Sequence, residues 1–249
     1  MKNPFGGRIL LIRRKYVVAL ALVLAVTAIF YIINHPAIVG TTARERSLPI
    51  YSVQREDAAL SLTFNLTTTE DIYTVQVLEV LNAFDVRASF FVTGDWVREN
   101  TDLAARLVVS GHELLNLSDD HNLLRRRGGE ELATNILACS DAIAEITGAR
   151  PTVFRAPYGG YDDRVVALVE GLGMHAVQWS VDSGDWRGIE AAAITRQVQN
   201  RAFPGAIVLL HAGLEQTALA IPEIVAGLLQ EGYLLVPVSE LVAPPSLVQ

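Results

Sequence analysis

The sequence predicts an α/β domain in which a mostly parallel sheet carries helices on its outside, preceded by a single transmembrane helix. Two observations carry the domain. Short continuous apolar runs alternate with amphipathic stretches from Ala58 onward, and the polar residues that interrupt this pattern gather at the C-terminal ends of the runs. A third observation carries the helix: Val17 to Ile33 reads VVALALVLAVTAIFYII, without a charge and with Thr27 as its one polar residue.

With Tyr16 that run covers 16–33, at the lower end of what crosses a bilayer core at about 1.5 Å per residue. Residues 1–15 before it hold Lys2, Arg8, Arg13, Arg14 and Lys15 and no acid. Such a flank stays in the cytoplasm and sends the rest of the chain outside, a single-pass arrangement with an extracytoplasmic C-terminal domain. A cleaved signal peptide followed by secretion is the alternative, but its apolar core is usually about 7–15 residues. No small-x-small cleavage site precedes Asn34-His35-Pro36, so an uncleaved signal-anchor is the preferred reading. A buried core helix would not explain the adjoining basic cluster.

Segment 34–56, with Pro36, Gly40 and Pro49, reads as a linker. Subtracting the five N-terminal positive charges from the net of −7 leaves −12 on everything after them. So acidic a domain lacks the basic face that nucleic acid requires. Cys139 is the only cysteine, which rules out an intrachain disulfide. It falls in a helical pattern, where it packs as a small apolar side chain.

In the domain, 57–240, seven runs read as buried strands: 59–64, 88–93, 112–116, 152–156, 174–181, 206–211 and 233–238. Helical patterns occupy 70–84, 101–110, 130–147, 162–172, 189–200 and 216–231. About seven strands in this alternation suit a closed or nearly closed (β/α) barrel better than an open doubly wound sheet. Residues 241–249, with Pro244 and Pro245, read as a tail.

At successive strand ends stand Asn65, then Asn116 to His121, Arg155 to Tyr158, Asp182 to Trp186, and His211. In an α/β barrel that face carries the functional site, because loops converge there above rigid strands. Each residue alone has an ordinary reading: Asn65 or His121 as a helix cap, Arg155 paired to a carboxylate, Trp186 in the core. Their coincidence at five strand ends favours a site.

In order, TFNL, NLSDDH, RAPYGGY, DSGDW and LLH resemble the five motifs of the polysaccharide deacetylase family, the NodB-homology domain of carbohydrate esterase family 4. Phe90 to Gly94 and Gly111-His112-Glu113 resemble its connecting segments. The resemblance implies a distorted (β/α) barrel and hydrolysis of acetyl groups from chitin-like or peptidoglycan sugars or from xylan. It also implies zinc or another divalent ion held by an Asp and two His residues.

By that resemblance His211 would be the general acid, and Asp185 the carboxylate that holds it and raises its pKa. Trp186 and Leu209 would wall the acetyl group, and the Pro157-Tyr158 loop would offer a backbone N–H to the oxyanion. Arg155 would pair with the base. The departures are Asn65 at the base position and leucine at two ligand positions, Leu66 and Leu117, so that His121 alone survives as a ligand beside Ser118. An amide does not accept a proton at neutral pH, and a catalytic zinc wants three protein ligands.

Tight metal binding is therefore not expected. Asp119 and Asp120 are expected as solvated loop acids capping the following helix, not as a rebuilt site. Arg155, without a charged partner, would turn to substrate or to Asp182. The favoured function is a membrane-anchored family member directed at N-acetylated cell-wall glycan and catalytically impaired. An active deacetylase with a rebuilt site, or a non-catalytic glycan-binding or structural surface module, are the alternatives.

Overall fold

The computed structural model describes residues 14–34, 48–67 and 71–243. They fall into two compact units, Met1–Arg46 and Ser47–Gln249. In the first, helix α1 (Arg14–Asn34) covers the apolar run. Every side chain described along it, 16–31, is exposed. The Thr27 hydroxyl is satisfied within the helix, donating to the carbonyls of Val23 (2.9 Å) and Leu24 (3.0 Å). Among the described residues no helix is long and apolar enough to cross a membrane, so the expectation for 16–33 is met as a helix and no further. Lys2, Arg8 and Arg13, most of the linker and the end of the tail lie outside the described residues.

Among its described residues the second unit holds eight strands: β1 (Ala59–Leu66), β2 (Ser89–Val92), β3 (Glu113–Asn116), β4 (Val153–Phe154), β5 (His175–Ala176), β6 (Val181–Asp182), β7 (Ile207–His211) and β8 (Leu234–Leu235). Their order is β5-β4-β3-β2-β1-β7-β6, and β8 pairs with the first residues of β1. Every pairing is parallel. All eight residues of β1 are buried, consistent with a central strand covered on both faces.

The α/β arrangement with a parallel sheet of about seven strands expected from the sequence is present, as a half-barrel where a closed or nearly closed one was expected. The run 174–181, read as one strand, is broken into β5 and β6, which end the sheet path on opposite sides and do not pair with each other. The run mixes apolar residues with His175, Gln178 and Ser180, and His175 and Ser180 are exposed as the chain crosses from one edge to the other. Residues 50–53, read as linker, are bridged into the sheet instead. Ile50 donates to the Ala176 carbonyl and accepts from Gln178 N, both at 2.8 Å, and Val53 donates to the Gly205 carbonyl at 2.9 Å. Unpaired strand edges in a buried seam would leave backbone groups unsatisfied, and this segment satisfies several.

Helices α2 (Asp71–Ala83), α3 (Gly94–Glu99), α4 (Thr101–Val109), α5 (Gly129–Thr147), α6 (Asp163–Gly171), α7 (Ala191–Gln199), α8 (Glu215–Gln230) and α9 (Val238–Val242) complete the unit. The sequence pattern missed α3 and α9, which are too short for a helical period to register. The Thr93 hydroxyl caps α3 by accepting from Trp96 N at 3.1 Å, and Asp162 caps α6 through Arg164 N and Val165 N. The main core lies between the sheet and these helices, with Phe64 and Phe90 stacked at 5.1 Å on neighbouring strands. Cys139 is fully buried on α5, as the helical pattern implied, and burial pushes its thiol pKa up.

Candidate functional site

The C-terminal ends of β1, β6 and β7 and the loops after β3 and β4 surround a cavity of about 320 Å³. Asn65, His121 and His211 contribute polar groups to it, while Tyr158, Trp179, Trp186 and Leu209 supply apolar surface and Asp182 stands at its side. The register explains part of this convergence: Asn65 lies opposite His211, and Thr63 opposite Leu209, on adjacent parallel strands.

His211 ends β7 and is held rigidly. Its Nδ1 lies 2.8 Å from Asp185 Oδ1, and its backbone N–H donates to Asp185 Oδ2 at 2.7 Å. Trp186 N and the Thr217 hydroxyl, each at 2.8 Å, complete the carboxylate's shell. Burial works to raise the Asp185 pKa, but the hydrogen bonds from His211 and Thr217 overcome it and leave the group below its ordinary range. A charged carboxylate on Nδ1 makes that nitrogen the donor and turns Nε2 into an acceptor for a ligand in the cavity.

Arg155 lies beneath the cavity floor and is fully buried. One amino nitrogen donates to Asn65 Oδ1 at 3.1 Å; the other donates to the Thr63 hydroxyl at 2.9 Å and the Gln178 carbonyl at 3.2 Å. Its guanidinium stacks 3.8 Å above the Phe91 ring, and Nε has no partner. No carboxylate is among these partners, and burial lowers the pKa to about 9. The expectation that Arg155 turns to substrate or to Asp182 is therefore corrected. Asn65 keeps it by offering a neutral acceptor in place of a charged one. Asp182 is engaged elsewhere, accepting from Gly184 N at 2.8 Å and from Trp186 Nε1 at 3.3 Å.

Leu66 and Leu117 are fully buried, each within an apolar cluster. His121, in left-handed backbone geometry at φ 49°, packs tilted by 46° against the Tyr158 ring, with 4.5 Å between ring centroids. Burial, together with the nearby His211, lowers its pKa, and Asp120 opposes the shift. Ser118 is also left-handed, and its buried hydroxyl has no partner. Asp119 pairs with Arg98 at 2.8 Å, while Asp120 pairs with Arg127 and accepts from Asn135 at 3.2 Å. These acids are ion-paired and do not cap the next long helix, whose N-cap is Gly128, which corrects the capping expectation.

Pro157 is buried, whereas Tyr158 is 68% and Trp186 57% exposed, so Trp186 is not a core residue. The loop holds Tyr158 at φ 57°, an uncommon conformation for an aromatic residue. Trp179, Thr63, Gln178 and Thr217 went unnoticed in the sequence. Trp179 was hidden inside an apolar run, and the others act through partners distant along the chain.

Comparison with known proteins adds a family model of polysaccharide deacetylase matching residues 52–177. The chain belongs to the polysaccharide deacetylase family. It is 35% identical to the peptidoglycan-N-acetylglucosamine deacetylase PgdA of Listeria monocytogenes over 73% of this chain and 38% of the relative, so it spans well under half of that protein's length. It is 33% identical to a chitooligosaccharide deacetylase of a Bradyrhizobium species, over 78% of this chain and 98% of the relative. Among solved structures it resembles a CE4 family pseudoenzyme of Bacillus anthracis, with TM-score 0.75, 29% identity and coverage of 79% of this chain and 69% of that one. A mutant of that pseudoenzyme with restored enzymatic activity matches equally well by TM-score.

The divalent ion associated with this family does not fit the residues present. Leu66 and Leu117 offer no donor atom and are packed into the core, which leaves His121 alone. Among the described residues no three His, Cys, Asp or Glu side chains are grouped to hold an ion.

Proposed function

We propose that this chain is a membrane-anchored, non-hydrolytic member of the polysaccharide deacetylase family that recognises N-acetylated wall glycan outside the cell. The observation that carries the reading is the burial of Leu66 and Leu117 in apolar clusters where metal ligands would be required. Asn65 adds to it, because a neutral amide cannot take a proton from water. Loss of a general base alone lowers rates by about 10²–10⁴-fold.

Recognition needs neither ion nor base. The exposed Trp186 ring offers a flat face to a sugar, Leu209 gives an acetyl methyl an apolar wall, and His211 Nε2 can accept from a sugar hydroxyl or the acetamide N–H. The names of the relatives, which act on peptidoglycan and on chitooligosaccharide, support a glycan of that class. Support for the anchor comes from the sequence: the uncharged apolar run Val17 to Ile33 follows Lys2, Arg8, Arg13, Arg14 and Lys15 with no acid among them.

Purified full-length protein in detergent should contain no stoichiometric zinc by elemental analysis. It should bind N-acetylglucosamine oligomers or peptidoglycan fragments and release no acetate from them. One zinc per chain, together with acetate release that disappears in His211→Ala, would overturn the reading.

A further inference from the structure

A second hollow of about 730 Å³ shares Tyr158 as a wall and is lined also by Asn122, Leu123, Arg126, Arg127 and Glu131. Arg127 is spoken for: it pairs with Asp120 and, at 3.4 Å, with Glu131. Arg126 is exposed and has no carboxylate partner among the described residues. With Asp120 counted beside Glu131, Arg127 is neutralised, and Arg126 is the lining cation left without a carboxylate partner among the described residues. The 3₁₀ turn Leu124–Arg126 holds the stretch in place, with Leu124 fully buried beneath it. A further strut comes from Arg164, which donates to the Arg125 carbonyl at 3.0 Å.

We propose that this second hollow is an anion subsite in which Arg126 binds a carboxylate carried by the sugar next to the N-acetylated residue in the aromatic cavity. Tyr158 stands between the two hollows, so a glycan crossing its ring places successive units on either side. A guanidinium offers paired N–H donors to a carboxylate, and Asn122 can donate to neighbouring hydroxyls. The inference rests on the glycan-binding reading and narrows it: the preferred ligand is an N-acetylated glycan with acidic groups, not a neutral one.

The test uses full-length protein in detergent and two probes of equal length, chitotetraose as the neutral glycan and a hyaluronan tetrasaccharide as the carboxylated one. Titration calorimetry should give the carboxylated probe about fivefold tighter binding in dilute buffer, as expected for one half-exposed charge-assisted contact. Added sodium chloride at 0.5 M should shrink the preference. Arg126→Ala should abolish it while leaving chitotetraose affinity and Tm unchanged, and Arg126→Lys should keep part of it. Inorganic phosphate at 10 mM should not remove the preference; if it does, the site is a general anion site and the carboxylate assignment fails. Equal affinity for both probes in the wild type overturns the subsite and leaves glycan binding standing. Failure to bind either probe overturns both.

Discussion

The fully buried Arg155 meets Asn65 at 3.1 Å beside the cavity, a cation held by an amide oxygen. A buried guanidinium without a counter-charge costs stability, and its pKa lowered to about 9 reflects that cost. The sign follows directly. A base with a depressed folded pKa destabilises at every pH below that value, and the penalty lifts only as pH rises through it. Asn65→Asp should therefore raise stability near neutral pH by about 1 kcal/mol after desolvation of the new carboxylate, an increase in Tm of about 2–4 °C. The gain should vanish as pH falls below the carboxylate range. A lower Tm at pH 7 would contradict this.

Restoring ligands at the two leucines should behave differently with and without metal. Leu66→Asp places an unpaired charge in the core and should cost about 3–5 kcal/mol in metal-free buffer. The double substitution Leu66→Asp with Leu117→His should also melt early, but micromolar zinc should recover much of the loss by binding the folded state. Wild-type protein should show no zinc-dependent change in Tm. A shift of several degrees in the wild type would reveal a metal site elsewhere.

Asp185 accepts from four donors, so Asp185→Asn turns an NH₂ group toward N–H or O–H donors and should cost on the order of 3 kcal/mol. Because the Asp185 pKa is lowered on folding, its contribution is present above the ordinary carboxylate range and is lost as pH falls through the folded value. Denaturant melts from pH 7 to pH 3 should show the wild type converging on the variant. Parallel curves would rule this contribution out.

Trp186 and Leu209 face the same cavity but should separate binding from folding. Trp186→Ala should weaken N-acetylated glycan binding with little change in Tm, since its ring is 57% exposed. Leu209→Ala, on β7 and 3% exposed, should lose about 2–4 kcal/mol of stability. His211→Ala should alter affinity less than Trp186→Ala does. Unchanged affinity in Trp186→Ala would remove the aromatic wall from the site.

External protease on spheroplasts should cut N-terminal to the strap at 50–53, between residues 40 and 49, and free a soluble domain if the chain is N-in and uncleaved. A mature chain starting near residue 40 would favour the cleaved signal peptide.

The strands at 59–66 and 207–211 were legible because they are short, largely apolar runs that reach Asn65 and His211 at or near their C-terminal ends, and parallel register then brings Asn65 beside His211. The break between Ala176 and Val181 was not, since two two-residue edge strands are too short for a strand period to register and no Gly or Pro marks the crossing. Partner choice was the other blind spot. Nothing local to Arg155 marks Thr63 or Gln178 as its acceptors, and nothing local to Asp119 marks Arg98.

The strap at 50–53 also has a mechanical side. A pull on the domain from its N-terminal end reaches the bonds of Ile50 to Ala176 and Gln178 first, then that of Val53 to Gly205, before any strand of the central sheet is loaded. At Gly205 the two backbones are so close that a Cβ would sit 1.6 Å from the Val53 carbonyl oxygen. Gly205→Ala would pry that last bond apart. Were the chain anchored and holding a wall polymer as proposed, the seam would yield first under tension, and the sugar-holding face would keep its shape while it does.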